Sequence, residues 1–375
     1  MLSGGFSIRK IPIAEVRLDR GELRAVERVL RSGQLRQGRV TEDFEKRFAR
    51  AVGARHAVAV NSGTAALFLA YRVMLEPGGE VIVPDFTFAA TASMVAAAGA
   101  TPVFADVDPR TFNLDPGDVE RKITSRTRAL APVHLFGHPA DITRLAGIAR
   151  RHKLRLIWDA AQAHGARFRG RDVGSFPDVV CYSFYPSKNM TTGEGGMLTT
   201  SDPALAREFR MLRSHGEEGR YCHVRIGFNF RMTDIAAALG RAQLAKLSSA
   251  VRRRRRNAAI LTRGLRDIPG LVIPEIPPGV WPSFNLFTIV IEIEQIGMTR
   301  DHFQLALARR GVATSVHYPL PLHRQPIFIG AGSDSDYPVS TRLAAAVISL
   351  PVHPNLSEGD LSRIIRAVRS VARAT

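Results

Sequence analysis

Cysteine is nearly absent: Cys181 and Cys222 are the only two in 375 residues, too few for a disulfide framework, and neither stands at metal-ligand spacing from a partner. Lysine is scarce as well. Of 52 basic residues only six are lysine, at 10, 46, 122, 153, 188 and 246, which leaves 46 arginines. Arginine serves wherever a cation alone is needed, but chemistry that needs a deprotonatable amine has to use lysine. No run approaches the roughly 20 apolar residues of a membrane span, the nearest being ATASMVAAAGA. The stretch MLSGGFSIRK lacks the apolar core of a signal peptide, so a soluble cytoplasmic protein is expected. Two common catalytic signatures are missing too. The nucleophile elbow G-x-S-x-G of serine hydrolases does not occur. In CYSFYPSKNMTTGEGGM, Lys188 precedes Gly193, Gly195 and Gly196, the reverse of a P-loop.

What is present is ordinary globular composition, 45% hydrophobic and 23% charged, with a formal charge of +18. Such a balance suits nucleic acid, a membrane surface or anionic metabolites. The run Arg252 to Arg256 is the feature most like a nucleic-acid contact, although a solvated stripe on a helix is the favoured reading of it. A DNA-binding regulator is therefore a rival reading, although no helix-turn-helix or other recognition module is evident.

From residue 56 to about 200, short apolar runs alternate with helix-length segments: HAVAVNS, EVIVPD, TPVFADV, ALAPVHL, LRLIWD, VVCYSF and GGMLTT read as strands. That alternation predicts an α/β fold with a mostly parallel sheet. Helices are expected at 87–98, near 115–122, and at 142–152, 203–214 and 233–247, followed by the arginine-rich segment. After the break IPEIPPGVWP, a smaller α+β region is expected, with strands in LFTIVIEI and VATSVHYPL and helices at 300–310, near 340–347 and near 358–372. The division is placed at 1–248 and 249–375. In such sheets ligands sit beyond the carboxyl ends of the strands, which singles out Asn61 to Thr64, Asp85 to Phe88, Asp159 and Ser183 to Lys188.

A phosphorylated aromatic aldehyde bound as an imine to Lys188 would give each strand end a task. Ser62, Gly63 and Thr64 open a helix, where free N–H groups favour a phosphate, although Ser62 also reads as a plain N-cap. Ser183 is a second candidate donor to that phosphate. Asp159 would hold the proton on a pyridinium nitrogen, or else serve as a helix cap or ion-pair partner. Gln162 is within reach of a ring hydroxyl. Phe88 would stack on the ring, or simply pack in the core. His164 either braces Asp159 or is a structural histidine. Lys188 needs a lowered ammonium pKa to attack a carbonyl; the alternative is an exposed lysine in a glycine turn. The histidines, His317 and His323 among them, show no metal-site spacing, so no metal is expected.

The ordered series NSGTAAL, VIVPDFTFAATA, PVFADVDPRTFNLDP, PVHLFGHPADI, DAAQAHGA, SFYPSKNMTTGEGGM, IGFNFRMTDIAAALG and VHYPLPLH resembles the DegT/StrS family of pyridoxal-phosphate sugar aminotransferases over about residues 10–370. The resemblance implies a fold-type I enzyme, with a mixed, mostly parallel seven-stranded sheet, a small C-terminal domain, and a homodimer with shared active sites. It implies that Lys188 is the Schiff-base lysine, Asp159 the pyridinium partner, Gln162 the ring-hydroxyl contact and Phe88 the stacking residue. Gly63, Thr64 and Ser183 match phosphate-binding positions, and Asn229 matches a residue that reaches the neighbouring subunit's cofactor phosphate. Arg220, Tyr221, His317 and Tyr318 lie where family members contact the sugar nucleotide. The implied reaction is ping-pong transfer of an amino group from glutamate or glutamine to a nucleotide-linked keto-sugar. One branch of the family carries histidine at the lysine position and dehydrates sugars; Lys188 favours transamination. A free keto-cyclitol or other carbocycle is the alternative acceptor.

Overall fold

The computed structural model describes residues 9–373; residues 1–8, which hold most of the stretch read for a signal peptide, lie outside them. Seven strands form the main sheet: β1 His56–Val60, β2 Glu80–Pro84, β3 Thr101–Ala105, β4 Thr127–Leu130, β5 Arg155–Asp159, β6 Val179–Ser183 and β7 Gly196–Thr200. Their spatial order is β1-β7-β6-β5-β4-β2-β3. β7 runs antiparallel to both its neighbours, and the remaining pairs are parallel. The α/β, mixed, mostly parallel fold expected from the sequence is therefore what forms.

Helices cover both faces, which is why these strands are apolar throughout rather than alternating. Ala57 and Ala59 of β1 face one core with Phe44, Phe48, Trp158, Tyr182 and Phe184. Val58 and Val60 face the other, with Leu67, Leu69, Tyr71, Val95 and Phe209. The helices are α1 Arg20–Ser32, α2 Arg39–Val52, α3 Gly63–Met74, α4 Ala90–Ala97, α5 Pro116–Lys122, α6 Ile142–His152, α7 Pro203–Arg213 and α8 Asp234–Leu265. α4 starts later than expected, because residues 85–89 form the turn that leaves β2.

α8 joins the two regions that the sequence reading separated. It is one helix of 32 residues, and the expected division at 248/249 falls inside it. Leu247 and Val251 pack in the first core; Ala258, Leu261 and Leu265 pack in a third one. That third core lies against a small antiparallel sheet of β8 Leu271–Val272, β9 Phe287–Ile291 and β10 Val347–Leu350, with helices α9 Arg300–Arg309, α10 Pro338–Ala346 and α11 Glu358–Ala372. Ile11 also lies in this core and bridges to Val312.

Three expectations are corrected here. VATSVHYPL makes only isolated bridges, Ile11 to Val312 and Ser315 to Ser349, and Pro319 and Pro321 supply no N–H for a ladder. β10, read at its first residue as helix, is a strand, since a short apolar run such as AVISLPV does not distinguish the two by pattern. The arginine run is not a uniformly solvated stripe: passing between two cores, α8 turns Arg254 inward and half-buries Arg255 over the Trp281 ring at 4.2 Å.

Candidate active site

Asp159 ends β5 beside Cys181 of β6 and is buried. A lone carboxylate there is costly unless it accepts hydrogen bonds. It accepts two: from the Thr91 hydroxyl of α4 at 2.9 Å and from the Ala161 N–H at 2.9 Å. Burial raises its pKa above the usual carboxylate range, against which the Ala161 and Thr91 bonds and the Lys188 charge pull it down. Thr91 is fixed in turn, because its carbonyl accepts from the buried Tyr71 hydroxyl at 3.0 Å.

Lys188 follows β6 and is half-buried. Burial lowers its ammonium pKa, opposed by the Asp159 charge. A lysine in that position holds a larger fraction of free amine than one in water. The glycine-turn alternative, an exposed lysine, does not describe it.

The phosphate-type cradle lies where β1 and β6 end. The Ser62 hydroxyl accepts the Ala65 N–H at 3.0 Å and so caps α3. The remaining first-turn N–H groups stay available to an anion. Gly63 lies so close to β6 that a Cβ there would stand 2.6 Å from the Ser183 Cβ. Thr64 is exposed in the same turn. Ser183 is half-buried, and at Gly196 opposite it a Cβ would meet the Ser62 carbonyl oxygen at 2.2 Å.

Gln162 bridges two segments. Its Oε1 accepts the Phe136 N–H at 2.6 Å and its Nε2 donates to the Tyr318 hydroxyl at 3.2 Å. The Tyr318 ring lies 6.1 Å from that of Phe88, whose side chain is 59% exposed. Phe88 is thus no core residue; its ring is free to cover a ligand. His317 is half-buried, 3.3 Å from the Ser315 hydroxyl, and burial and then the Lys188 charge lower its pKa.

Other expected positions are not brought to this cluster within one chain. Asn229 is exposed, its carbonyl 3.5 Å from the Asn61 side-chain amide. Arg220 and Tyr221 lie in an exposed loop, with the guanidinium 5.3 Å over the Tyr221 ring. His164 does not brace Asp159: its ring packs on Tyr182 and Phe184, and burial lowers its pKa to about 3. Thr91 does the bracing, and sequence reasoning missed it because a threonine inside ATAS carries no motif. It also missed the anchor of the His317–Tyr318 segment. Buried Asp85 accepts both the His323 backbone N–H and its ring Nδ1–H at 2.8 Å.

A buried carboxylate held as an acceptor, an amine with a lowered pKa, an anion cradle and an exposed aromatic ring together fit a pyridoxal phosphate. Among the described residues no group of His, Cys, Asp and Glu is placed to hold a metal ion, and no helix is long and apolar enough to cross a membrane.

Comparison with known proteins finds matches along nearly the whole chain. The profile of the DegT/DnrJ/EryC1/StrS aminotransferase family matches residues 16–369. A dTDP-3-amino-3,4,6-trideoxy-alpha-D-glucose transaminase of Streptomyces venezuelae is 43% identical over 371 residues, covering 97% of this chain and 96% of that protein. The solved structure of DesV, also of S. venezuelae, superposes with a TM-score of 0.93 at 42% identity, over 97% of this chain and 99% of the other. A sugar aminotransferase of Streptococcus pneumoniae, Spr1654, solved in PMP and PLP forms, is 30% identical; its PMP form gives a TM-score of 0.92 over 97% and 98% of the two chains.

Proposed function

The chain belongs to the DegT/DnrJ/EryC1/StrS aminotransferase family, and from that premise we propose that it moves an amino group from glutamate or glutamine to a keto-sugar carried on a nucleoside diphosphate. It is an aminotransferase, and pyridoxal phosphate is its cofactor. The observation that carries the chemical half of the proposal is a buried Asp159 held as an acceptor by the Thr91 hydroxyl and the Ala161 N–H, with half-buried Lys188 near enough that each charge opposes the effect of burial on the other. The acceptor half is supported by the substrate named for the S. venezuelae transaminase.

When bound, the cofactor supplies an electron sink through its protonated ring nitrogen. Asp159 keeps that proton in place, oriented by Thr91 and the Ala161 N–H. Gln162 would face the ring hydroxyl, Phe88 would cover one ring face, and Ser62, Gly63, Thr64 and Ser183 would hold the phosphate. Lys188 would hold the cofactor covalently between turnovers. Once free of the cofactor, its Nζ would act as general base toward the donor's α-carbon proton and then as general acid with that proton. In the second half-reaction the same Nζ would carry a proton in the opposite direction, to the keto-sugar carbon, and the kinetics would be ping-pong because the donor's keto acid leaves before the keto-sugar binds. His317 and Tyr318 line the approach to Lys188.

The functional unit is a homodimer in this proposal, with Asn229 completing the phosphate site of the other subunit and the Arg220–Tyr221 loop reaching its sugar nucleotide. Their exposure in the single chain supports that assignment.

The test is to incubate purified protein with pyridoxal phosphate and glutamate, offer dTDP-, UDP- and GDP-linked keto-sugars, and follow products by mass. Amination of at least one nucleotide sugar is expected. Amination of a free keto-cyclitol with none of any nucleotide sugar would overturn the acceptor assignment.

A further inference from the structure

Arg254 is a buried cation with no carboxylate within ion-pair distance among the described residues, and burial lowers its pKa to about 10. A guanidinium is rarely buried without a charge partner. Its Nη1 donates only to two backbone carbonyls, Phe284 at 3.1 Å and Asn285 at 3.2 Å. The arginine run that looked like a nucleic-acid contact thus contains a clamp on the segment 283–286.

That segment touches the candidate active site from behind, at two points. Asn285 is buried, and its side-chain amide donates to the Ser187 carbonyl at 3.0 Å and to Asn189 Oδ1 at 3.4 Å. Ser187 and Asn189 are the residues on either side of Lys188. Asn189, also buried, donates onward to the carbonyls of His164 and Ser283, both at 3.3 Å. The second point lies beside Gln162: the Ser283 N–H donates to the Gly137 carbonyl at 2.8 Å, next to Phe136, whose N–H holds Gln162 Oε1. Gly137 has φ 87°, and a Cβ there would stand 2.6 Å from the Ser283 hydroxyl, so the approach tolerates only glycine.

We infer that Asn285 is a positioning residue for Lys188: its amide bridges the Ser187 carbonyl and the Asn189 side chain on either side of the lysine and fixes where Nζ stands. The Lys188 side chain has four rotatable bonds, and the lysine's own N–H makes a turn bond to the Tyr185 carbonyl at 2.9 Å, while Phe184 and Asn189 on either side of it are held by bonds to Thr191, Thr192 and Gly195 and to His164 and Ser283. A nucleophile that must reach a carbonyl carbon and later shuttle a proton between two carbons gains from a fixed base; a displacement of about 1 Å at such a centre costs on the order of 100-fold in rate. Asn285 touches neither substrate nor cofactor in this arrangement. It acts only through Lys188. The inference rests on the proposed role of Lys188.

The test uses the full chain with two substitutions. Asn285→Asp is nearly isosteric and turns both donors into acceptors facing other oxygens; Asn285→Ala removes them. Pyridoxamine phosphate, which has no aldehyde and forms no bond to lysine, reports the cradle alone. Its Kd is expected to stay within about 3-fold of wild type, and the glutamate KM likewise. The rate of borohydride-trappable attachment of pyridoxal phosphate to Lys188, and kcat, are expected to fall roughly 10- to 100-fold. Unchanged attachment rate and kcat in either variant that binds pyridoxamine phosphate would overturn the inference. So would a parallel loss of pyridoxamine phosphate affinity, KM and unfolding temperature, which marks ordinary damage to the fold. If Asn285→Ala does not fold, the isosteric Asn285→Asp decides alone. Trapping of the wild-type cofactor on a lysine other than Lys188 would instead sink the reading beneath the inference, and the inference with it.

Discussion

The Thr91 hydroxyl donates to Asp159 Oδ2 at 2.9 Å, with both side chains buried, and so couples the first turn of α4 to the end of β5 across 68 residues of chain. A hydrogen bond to a buried charge is worth about 1.5–3 kcal/mol. Thr91→Val, nearly the same shape, leaves the carboxylate with the Ala161 N–H alone. Pyridoxal phosphate affinity is expected to fall roughly 10-fold with the fold intact, measured by titrating the cofactor-free protein.

Asp159 has opposite effects on the empty and the loaded protein. Burial raises its pKa above the ordinary carboxylate range, so between the unfolded and the folded pKa the folded state binds more protons than the unfolded one. Stability contributed by this group therefore falls as pH rises through that window. Asp159→Asn is expected to raise the unfolding temperature of the cofactor-free protein at neutral pH and to flatten that part of its pH dependence. The same substitution is expected to lower transaminase activity by at least about 100-fold, because the ring nitrogen loses the partner for its proton. Thermal denaturation across about pH 4–8 without cofactor, beside an activity assay with it, checks both signs.

Close approach at the cradle makes its glycine intolerant of a methyl group. A Cβ on Gly63 would lie 2.6 Å from the Ser183 Cβ, and nothing there is a flexible side-chain end that can swing aside. Gly63→Ala is expected to push α3 away from β6, costing about 1–3 kcal/mol of stability. It should weaken inorganic phosphate as a competitor of cofactor binding as well. Ser183→Ala, which keeps the packing and removes one donor, is expected to affect phosphate competition but not unfolding temperature.

The strand ends were legible in the sequence for a physical reason: a strand buried on both faces is a short unbroken apolar run, and its end is marked by the first polar residues, as at Asn61, Asp159 and Ser183. Lys188 was legible because it stands just past a strand end and before Gly193, Gly195 and Gly196, in a segment that resembles a family motif, with the scarcity of lysine adding a little weight. Thr91, Asn189, Asn285 and Arg254 were not. Each acts through a hydrogen bond to a segment far away in sequence, and nothing in ATAS, SFNLF or RRRRR records that partner. α8 was read short because the serines and arginines of LSSAVRRRRRN interrupt its apolar face where the helix leaves one core and enters another. The Gln162–Tyr318 contact spans 156 residues and arises only when the chain after α9 folds back over the sheet.

The most direct test of the assignment is to load the protein with pyridoxal phosphate, reduce it with borohydride, digest it and locate the pyridoxyl group by mass spectrometry. The adduct is expected on the peptide containing Lys188 and on none of the peptides carrying the other five lysines. Lys188→Ala, still folded, is expected to give no adduct and to lose transamination. An adduct on another lysine, or a Lys188→Ala protein that transaminates at the wild-type rate, would contradict the role given to Lys188.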